Sequence, residues 1–410
     1  MRIGRTLPPA AAPFSLSDIF TAIIKSFKGE VEITRFEDEL KKYFGVKYCH
    51  LVTSGKAALT MILTALKQFY PDRTDVLIPA FTCFSVPAAI KKAGLKMRLC
   101  DIAPKSFNFN EIELKAIIAL DKRSGRNNIL CVLPTHMFGN PINIQSLREI
   151  VGDDIIIVED AAQAMGGEYH GVKLGTLGDI SFFSLGRGKA LSTVEGGIIL
   201  TNNDDINRVL TTLIKQVPSN DLIHQVKFVI NAILLTVMQY PALYWLPNSL
   251  PFLKLGETIF EPDFPVRKMS AVQAALSRNW QERLHRHQQN RNKNIHFWLD
   301  KLPNNSILCC LEQQGDFANL IRLPVLASNR QERNSIIRKS TQLGLGIMPS
   351  YPTPINEILE LASDFQGIKF PNAIELCNRL YTLPIHEYVS DEDNKKIFEL
   401  LTQNLCSLSA

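Results

Sequence analysis

The chain has 410 residues, of which 46% are hydrophobic and 21% charged, with a formal net charge of +5. A chain of that size and apolar content can bury one large core with a smaller one beside it, which excludes disorder as the default. Its positive charges are spread, with no arginine-rich run and no basic stripe interleaved with aromatics; this argues against nucleic acid as a partner and leaves phosphorylated small molecules open.

The opening MRIGRTLPPAAAPFSL has no continuous apolar stretch before Pro8 and Pro9, so a secretory signal is not expected. Residues 15–45 read as helical, with apolar positions three and four apart in SLSDIFTAIIKSF and VEITRFEDELKKYF. After them the pattern alternates. Short apolar runs, VLIPAF at 76–81, ILCVLP at 129–134, IIIVED at 155–160 and GGIILTN at 196–202, are separated by helix-like segments such as KAALTMILTAL and NIQSLREIV. That order predicts βαβ units and a mostly parallel sheet covered by helices on both faces, an α/β fold. From Phe228 to Leu253 no residue is charged, and the stretch reads as an insert occupying about 222–255. Asn231, Gln239, Pro241 and Pro247 interrupt it, so a helix packed on a partner subunit or lying on a bilayer surface is more economical than a crossing. SAVQAALSRNWQERLHRHQQNRNKNIHFWLDKL then predicts one long bridging helix, and 306–410 a small α/β domain. The expected organisation is an N-terminal arm with helices (1–45), a large domain (46–265), and the bridge with the small domain (266–410). The eight cysteines (Cys49, Cys83, Cys100, Cys131, Cys309, Cys310, Cys377, Cys406) show no CxxC or Cys/His ligand spacing. Neither a disulfide framework nor a metal site is expected, and a reducing cytoplasm fits.

The chemistry concentrates in IIIVEDAAQAMGGEYHGVKLGTLGDISFFSLGRGKALSTVEGG. An apolar strand ends at Glu159 and Asp160, and ligands in parallel sheets bind at carboxyl ends of strands. A second run, ISFFS, ends at Ser184 and delivers Lys189 through a glycine-flanked turn. A lysine beside a carboxylate from a neighbouring strand is what Schiff-base chemistry needs: an amine nucleophile, and an anion for a protonated ring nitrogen. Ser54 and Gly55 precede a strong helix former, where free N–H groups suit a phosphate.

Together with VLIPAFTCFSVPAAIKKAGLKMRLCDI, LPTHMFGNPINIQSL, MSAVQAAL and FPNAIELCNRLYTLPIHEYVSDED, these segments resemble the DegT/DnrJ/EryC1/StrS sugar aminotransferases from about residue 30 to the C-terminus, except around 205–262. The resemblance implies a fold-type-I pyridoxal-phosphate enzyme, a homodimer with sites at the subunit interface, moving an amino group from glutamate to a nucleotide-linked keto sugar in polysaccharide or glycolipid synthesis. It implies Lys189 as the Schiff-base lysine and Asp160 as partner of the pyridine nitrogen, the two catalytic residues. Gln163 would contact the ring hydroxyl, and Ser184 with the backbone of Ser54, Gly55 and Lys56 would cradle the phosphate. The family's sugar dehydratases replace the lysine, so Lys189 speaks against dehydration.

The departures touch the cofactor at Lys56, where many members have Thr, and at Cys83 and Phe84, and otherwise lie on the substrate side. Cys83 occupies the usual place of a ring-stacking aromatic, and either the thiol packs there or the neighbouring Phe84 stacks. Val266, Arg267 and Lys268 stand where the family has Asn-aromatic-Arg, and Ser350 where it has the His of HYP. Arg187, Arg267, Lys268 and His136 are the candidate substrate contacts; for His136 a packed core histidine is the equal alternative. These changes keep open a lipid-linked or non-nucleotide acceptor, and a non-catalytic binding or regulatory protein of the same fold.

Overall fold

The computed structural model describes residues 3–125, 127–250, 256, 258–303, 306–307 and 320–407. Helix α1 (Leu16–Ser26) starts on a capping box in which the Ser15 side chain accepts from the Asp18 N–H and the Asp18 carboxylate accepts from the Ser15 N–H. α2 (Glu30–Phe44) stops at Gly45, whose left-handed backbone closes its last turn. Then follow β1 (Tyr48–Val52), α3 (Gly55–Phe69), β2 (Asp75–Pro79), α4 (Ser85–Lys92), β3 (Lys96–Cys100), α5 (Glu111–Arg123), β4 (Ile129–Val132), α6 (Ile144–Val151) and β5 (Ile156–Asp160). A small hairpin, β6 (Glu168–Tyr169) and β7 (Val172–Lys173), leads to β8 (Ile180–Ser184), β9 (Gly197–Thr201) and α7 (Asp204–Gln216).

The seven strands order as β1-β9-β8-β5-β4-β2-β3. All run parallel except β9, which pairs antiparallel with both β1 and β8. The expected parallel sheet is therefore present, with GGIILTN reversed. Alternation along the strands serves two layers: Val76 and Ile78 join the core under α3 and α4, whereas Leu77, Val132 and Ile157 join the core under α5 and α6. α3 has ten buried positions, which include Ala57, Ala58, Ile62 and Leu63.

α8 (Leu222–Met238), from Phe228 onward, and the short α9 (Trp245–Asn248) lie in the uncharged stretch. Among the described residues no helix is long and apolar enough to cross a membrane; residues 251–253 of the stretch lie outside the described residues, as do Cys309 and Cys310. The predicted single bridging helix is two helices, α10 (Ala271–Leu276) and α11 (Trp280–Leu299). Asn279 breaks it at φ +56°, a left-handed conformation Asn tolerates better than most residues. The bend is held from both sides: Arg278 pairs with the buried Glu32 of α2, and Trp280 packs edge-on against Tyr43 and Phe36. β10 (Leu323–Leu326), α12 (Arg330–Leu343), β11 (Met348–Pro349), α13 (Pro371–Arg379), β12 (Leu380–Leu383) and α14 (Asp391–Ser407) complete the chain, with the antiparallel sheet β10-β12-β11.

The N-terminal arm ties these parts together. Leu7, Ala10, Ala11, Ala12 and Phe14 are buried, the Leu7 N–H donates to Gly344 O, and the Thr6 N–H donates to Pro241 O. His386, buried, donates from Nε2 to Pro8 O (2.7 Å), while its Nδ1 accepts from the Tyr388 N–H. The bond accepted by Nδ1 requires the neutral ring, and burial, outweighing the Pro8 carbonyl, pushes its pKa down to about 4. An unfolded histidine takes a proton near pH ~6.5, so stability from neutral His386 is complete above that value and is lost as pH falls toward about 4. Between these limits it contributes up to about 3 kcal/mol. His386→Asn should flatten the pH dependence of the urea unfolding midpoint in that window; a slope equal to wild type would refute the assignment.

Candidate active site

At the carboxyl end of β5, two adjacent carboxylates face opposite ways, as strand alternation requires. Glu159, fully buried, accepts from the N–H groups of Gly175 (3.0 Å), Leu177 (2.6 Å) and Gly178 (2.5 Å), and from His136 Nε2 (2.9 Å). The His136 Nδ1 accepts from the Ile142 N–H, so Nε2 carries the proton. With both nitrogens committed and no exposed surface, His136 is a packed core residue, and its expected substrate contact is corrected accordingly.

Asp160 points the other way. Its Oδ1 accepts from the Ala162 N–H (3.0 Å) and its Oδ2 from Thr135 Oγ1 (3.4 Å). Burial raises its pKa, opposed by the Ala162 N–H and by the charge of Lys189. The segment after it turns without forming a helix, so Asp160 is not a helix cap and Gln163 is not a first-turn helical residue. Gln163 Nε2 donates to Tyr351 Oη (3.4 Å).

Lys189 leaves β8 through Gly186, Arg187 and Gly188. Gly188 is at φ +69°, and a Cβ there would lie 3.2 Å from Ala10 Cβ of the arm. The Lys189 carbonyl accepts from Arg291 Nη2 (3.3 Å), and so does the Ala190 carbonyl (3.0 Å). Burial lowers the amine's pKa, against the raising influence of Cys83 and Asp160. This favours the neutral, nucleophilic amine.

Ser54 caps α3, accepting from the Ala57 N–H (3.1 Å), and its neighbour Gly55 lies against Ser184: a Cβ at Gly55 would sit 2.8 Å from Ser184 Cβ. Only glycine lets the helix start approach Ser184 this closely. The Lys56 ammonium is drawn off to Glu261 (3.3 Å) and over the Phe264 ring, so its contribution at the helix start is the backbone N–H. Arg267 lies alongside, its carbonyl accepting from the Thr53 N–H (3.0 Å), while Lys268 bridges to Val52. Arg187 is exposed at the rim.

Three residues missed by sequence reasoning complete the cluster. Tyr351, from the second sheet's unit, packs on Phe81 (5.4 Å between ring centres) and stacks on Phe84 (6.3 Å, 23°). Phe84 thus stacks on a protein ring, and Cys83 accepts from Ser85 Oγ (2.9 Å). Arg322 acts electrostatically on Lys189, Tyr351, Tyr244 and Cys83; its Nε is buried without a hydrogen-bond partner, and burial lowers its pKa. The one sequence signal for it was an arginine inside the apolar run LIRLPVL. Tyr244 lies in the uncharged stretch, and burial pushes its pKa up to about 12.

The DegT/DnrJ/EryC1/StrS aminotransferase family model matches residues 20–233 and 264–402. The chain belongs to this family. Among curated relatives, a GDP-perosamine synthase of Caulobacter vibrioides is 31% identical over 175 residues, which take in 42% of this chain and 45% of that protein. The match thus spans less than half the length of that relative. A UDP-2-acetamido-2-deoxy-3-oxo-D-glucuronate aminotransferase of Pseudomonas aeruginosa is 24% identical over 90% of both chains. Among solved structures, the Helicobacter pylori PseC aminotransferase, involved in pseudaminic acid biosynthesis, superposes with a TM-score of 0.76 at 16% identity, covering 98% of this chain and all of that one. The fold expected from the family's motifs is the fold found. The family model passes over residues 234–263, which include the end of α8 and all of α9.

Replacing Glu159 by Gln would set an amide NH2 against buried donors that now share the carboxylate. Two or more unsatisfied groups at about 1–3 kcal/mol each should lower unfolding free energy by roughly 2–6 kcal/mol, measurable by urea denaturation. A loss under about 1 kcal/mol would mean that these bonds do not hold the loop.

Proposed function

We propose that this protein is a pyridoxal-phosphate-dependent aminotransferase that transfers an amino group, from glutamate, to the keto group of a sugar. The nucleotide-linked acceptors named for its relatives are the class to test first. The observation that carries the reading is the convergence of Lys189 and Asp160 at one end of the sheet, each with a pKa displaced by burial and each bearing on the other's charge.

The residues fit the cofactor. Asp160 is a buried carboxylate that lacks a fully opposing cation and suits a protonated ring nitrogen. The start of α3 and Ser184, brought together because residue 55 is glycine, place free backbone N–H groups and a hydroxyl side by side, a set that suits a phosphate. Pyridoxal phosphate supplies an aldehyde that condenses with amines and a ring that withdraws electrons from the adjacent carbon. This chain's residues do the rest. The neutral Lys189 amine would hold the cofactor through its lone pair and, once freed, would act as the base that takes the proton from the donor's α-carbon. Asp160 holds a proton on the ring nitrogen, an electrostatic contribution made in a dry site. Gln163 and Tyr351 fix the ring's edge, while Ser184 with the N–H groups of Gly55 and Lys56 anchors the phosphate. Arg187, Arg267 and Lys268 supply positive charge for an acidic acceptor.

The reading carries a homodimer in a reducing cytoplasm, supported by free thiols at Cys49, Cys83, Cys100, Cys131 and Cys377 and by exposed apolar faces on α1 and α8. The division into arm, large domain and small domain at about 45 and 265 is part of the same proposal.

Lys189→Ala should abolish the yellow, borohydride-reducible adduct and lower transamination by about 10²–10⁴-fold or more. Asp160→Asn should retain cofactor but lose rate by a comparable factor. Conversion of the absorbance spectrum by glutamate in wild type, and its absence in Lys189→Ala, is the deciding measurement; a reducible adduct in Lys189→Ala would defeat the assignment.

A further inference from the structure

A cavity of about 530 Å³ opens between the N-terminal arm, α8 with its following turn, and Arg187 and Gly188 of the turn that precedes Lys189. Its size falls in the range of roughly 300–1000 Å³ that small-molecule sites occupy. One wall is apolar, formed by Leu234, Met238 and Leu246, with Pro9 opposite. Two arginines, Arg187 and Arg322, also line the cavity. Among the described residues no carboxylate pairs with Arg322, and its buried Nε has no partner. A desolvated guanidinium without an anion is costly unless a ligand supplies one.

The apolar wall comes from the segment that the family model passes over, residues 234–263, so the cavity is built by what is particular to this chain. A nucleotide presents a polar, hydrogen-bonding base and ribose, whereas this side of the cavity is mostly hydrocarbon (Leu234, Leu235, Met238, Leu246, Pro247 and Leu250), with Asn231, Gln239 and Tyr244 its few polar groups. We propose that this cavity binds an amphiphilic anion, with its acidic group on Arg322 and Arg187 and its hydrocarbon chain along α8, as the carrier of the keto-bearing acceptor. The proposal rests on the aminotransferase reading for the reacting end of the molecule. The cavity's charge and apolar wall define the carrier. Arg322 has a double position: it lines the cavity and depresses the Lys189 amine's proton affinity. An anion seated on it would offset that influence, so binding and the state of Lys189 are linked.

The test uses the purified full chain with dodecyl phosphate, dodecanoate, uridine diphosphate and the uncharged dodecyl maltoside as probes, by calorimetry and without turnover. Dodecyl phosphate or dodecanoate should bind in a 1:1 ratio, and the stronger of the two identifies the head group as phosphate or carboxylate. Arg322→Gln should weaken that binding about tenfold or more, and Arg322→Lys by less. Leu234→Glu, on the cavity wall, should abolish it with the circular dichroism spectrum unchanged. Dodecyl maltoside should bind more weakly than either anion. Tight binding of uridine diphosphate without binding of the alkyl anions would overturn the proposal. So would alkyl-anion binding unaffected by either Arg322→Gln or Leu234→Glu, since that would place it on the exposed apolar faces elsewhere. A chain that binds the alkyl anion at this site yet never changes its cofactor spectrum with glutamate would defeat the aminotransferase reading alone.

Discussion

The arrangement of this protein depends on one carboxylate that takes no part in chemistry. Glu159 gathers three backbone N–H groups from the loop before β8 and the imidazole of His136 from the loop after β4. A buried charge survives only when its lone pairs are filled, and here four donors fill them. The result is that two loops and the end of β5 move as one body. Asp160, on the other face of the same strand, is thereby aimed at a fixed point beside Lys189.

Lys189 is positioned by a comparable logic from the other side. Its turn is closed by glycines, overlaid by Ala10 of the arm, and pinned through its carbonyl by Arg291, which α11 carries across from the end of the large sheet's unit. Arg291 is itself buried, with Nε and Nη1 unpartnered, and burial lowers its pKa to about 10. The arm, α11 and the Lys189 turn meet at one contact, so this turn is held by residues from the N- and C-terminal parts together.

The amine and the carboxylate are both displaced by desolvation in the direction of their neutral forms, and each partly restores the other's charge. Such opposed influences are how a folded protein keeps a lysine nucleophilic near neutral pH. Arg322 extends the same field toward the cavity walled by α8, of which it is a lining residue.

The strands and the helices between them were legible because their determinants are local. The alternation of Val76, Leu77 and Ile78 and the caps at Ser15, Ser54 and Asn143 act within a few residues of themselves. The spacing of Asp160, Gln163, Ser184 and Lys189 was legible as a motif, since a strand end and a tight turn have fixed reach. The break at Asn279 was not: it is imposed by Glu32 and by the ring of Tyr43, which lie more than two hundred residues earlier in the chain. Nor was the fate of His136, whose two nitrogens are claimed by groups that only the folded sheet brings near, or the diversion of Lys56 toward Glu261. Arg322 acts on Lys189, and Tyr351 reaches Gln163, because the second sheet's unit packs over the first. The sequence by itself determined the elements, the family and the residues that hold charge. Tertiary structure alone decided which charges are desolvated and what faces them, because desolvation is a property of the space around a group and not of its neighbours in the chain.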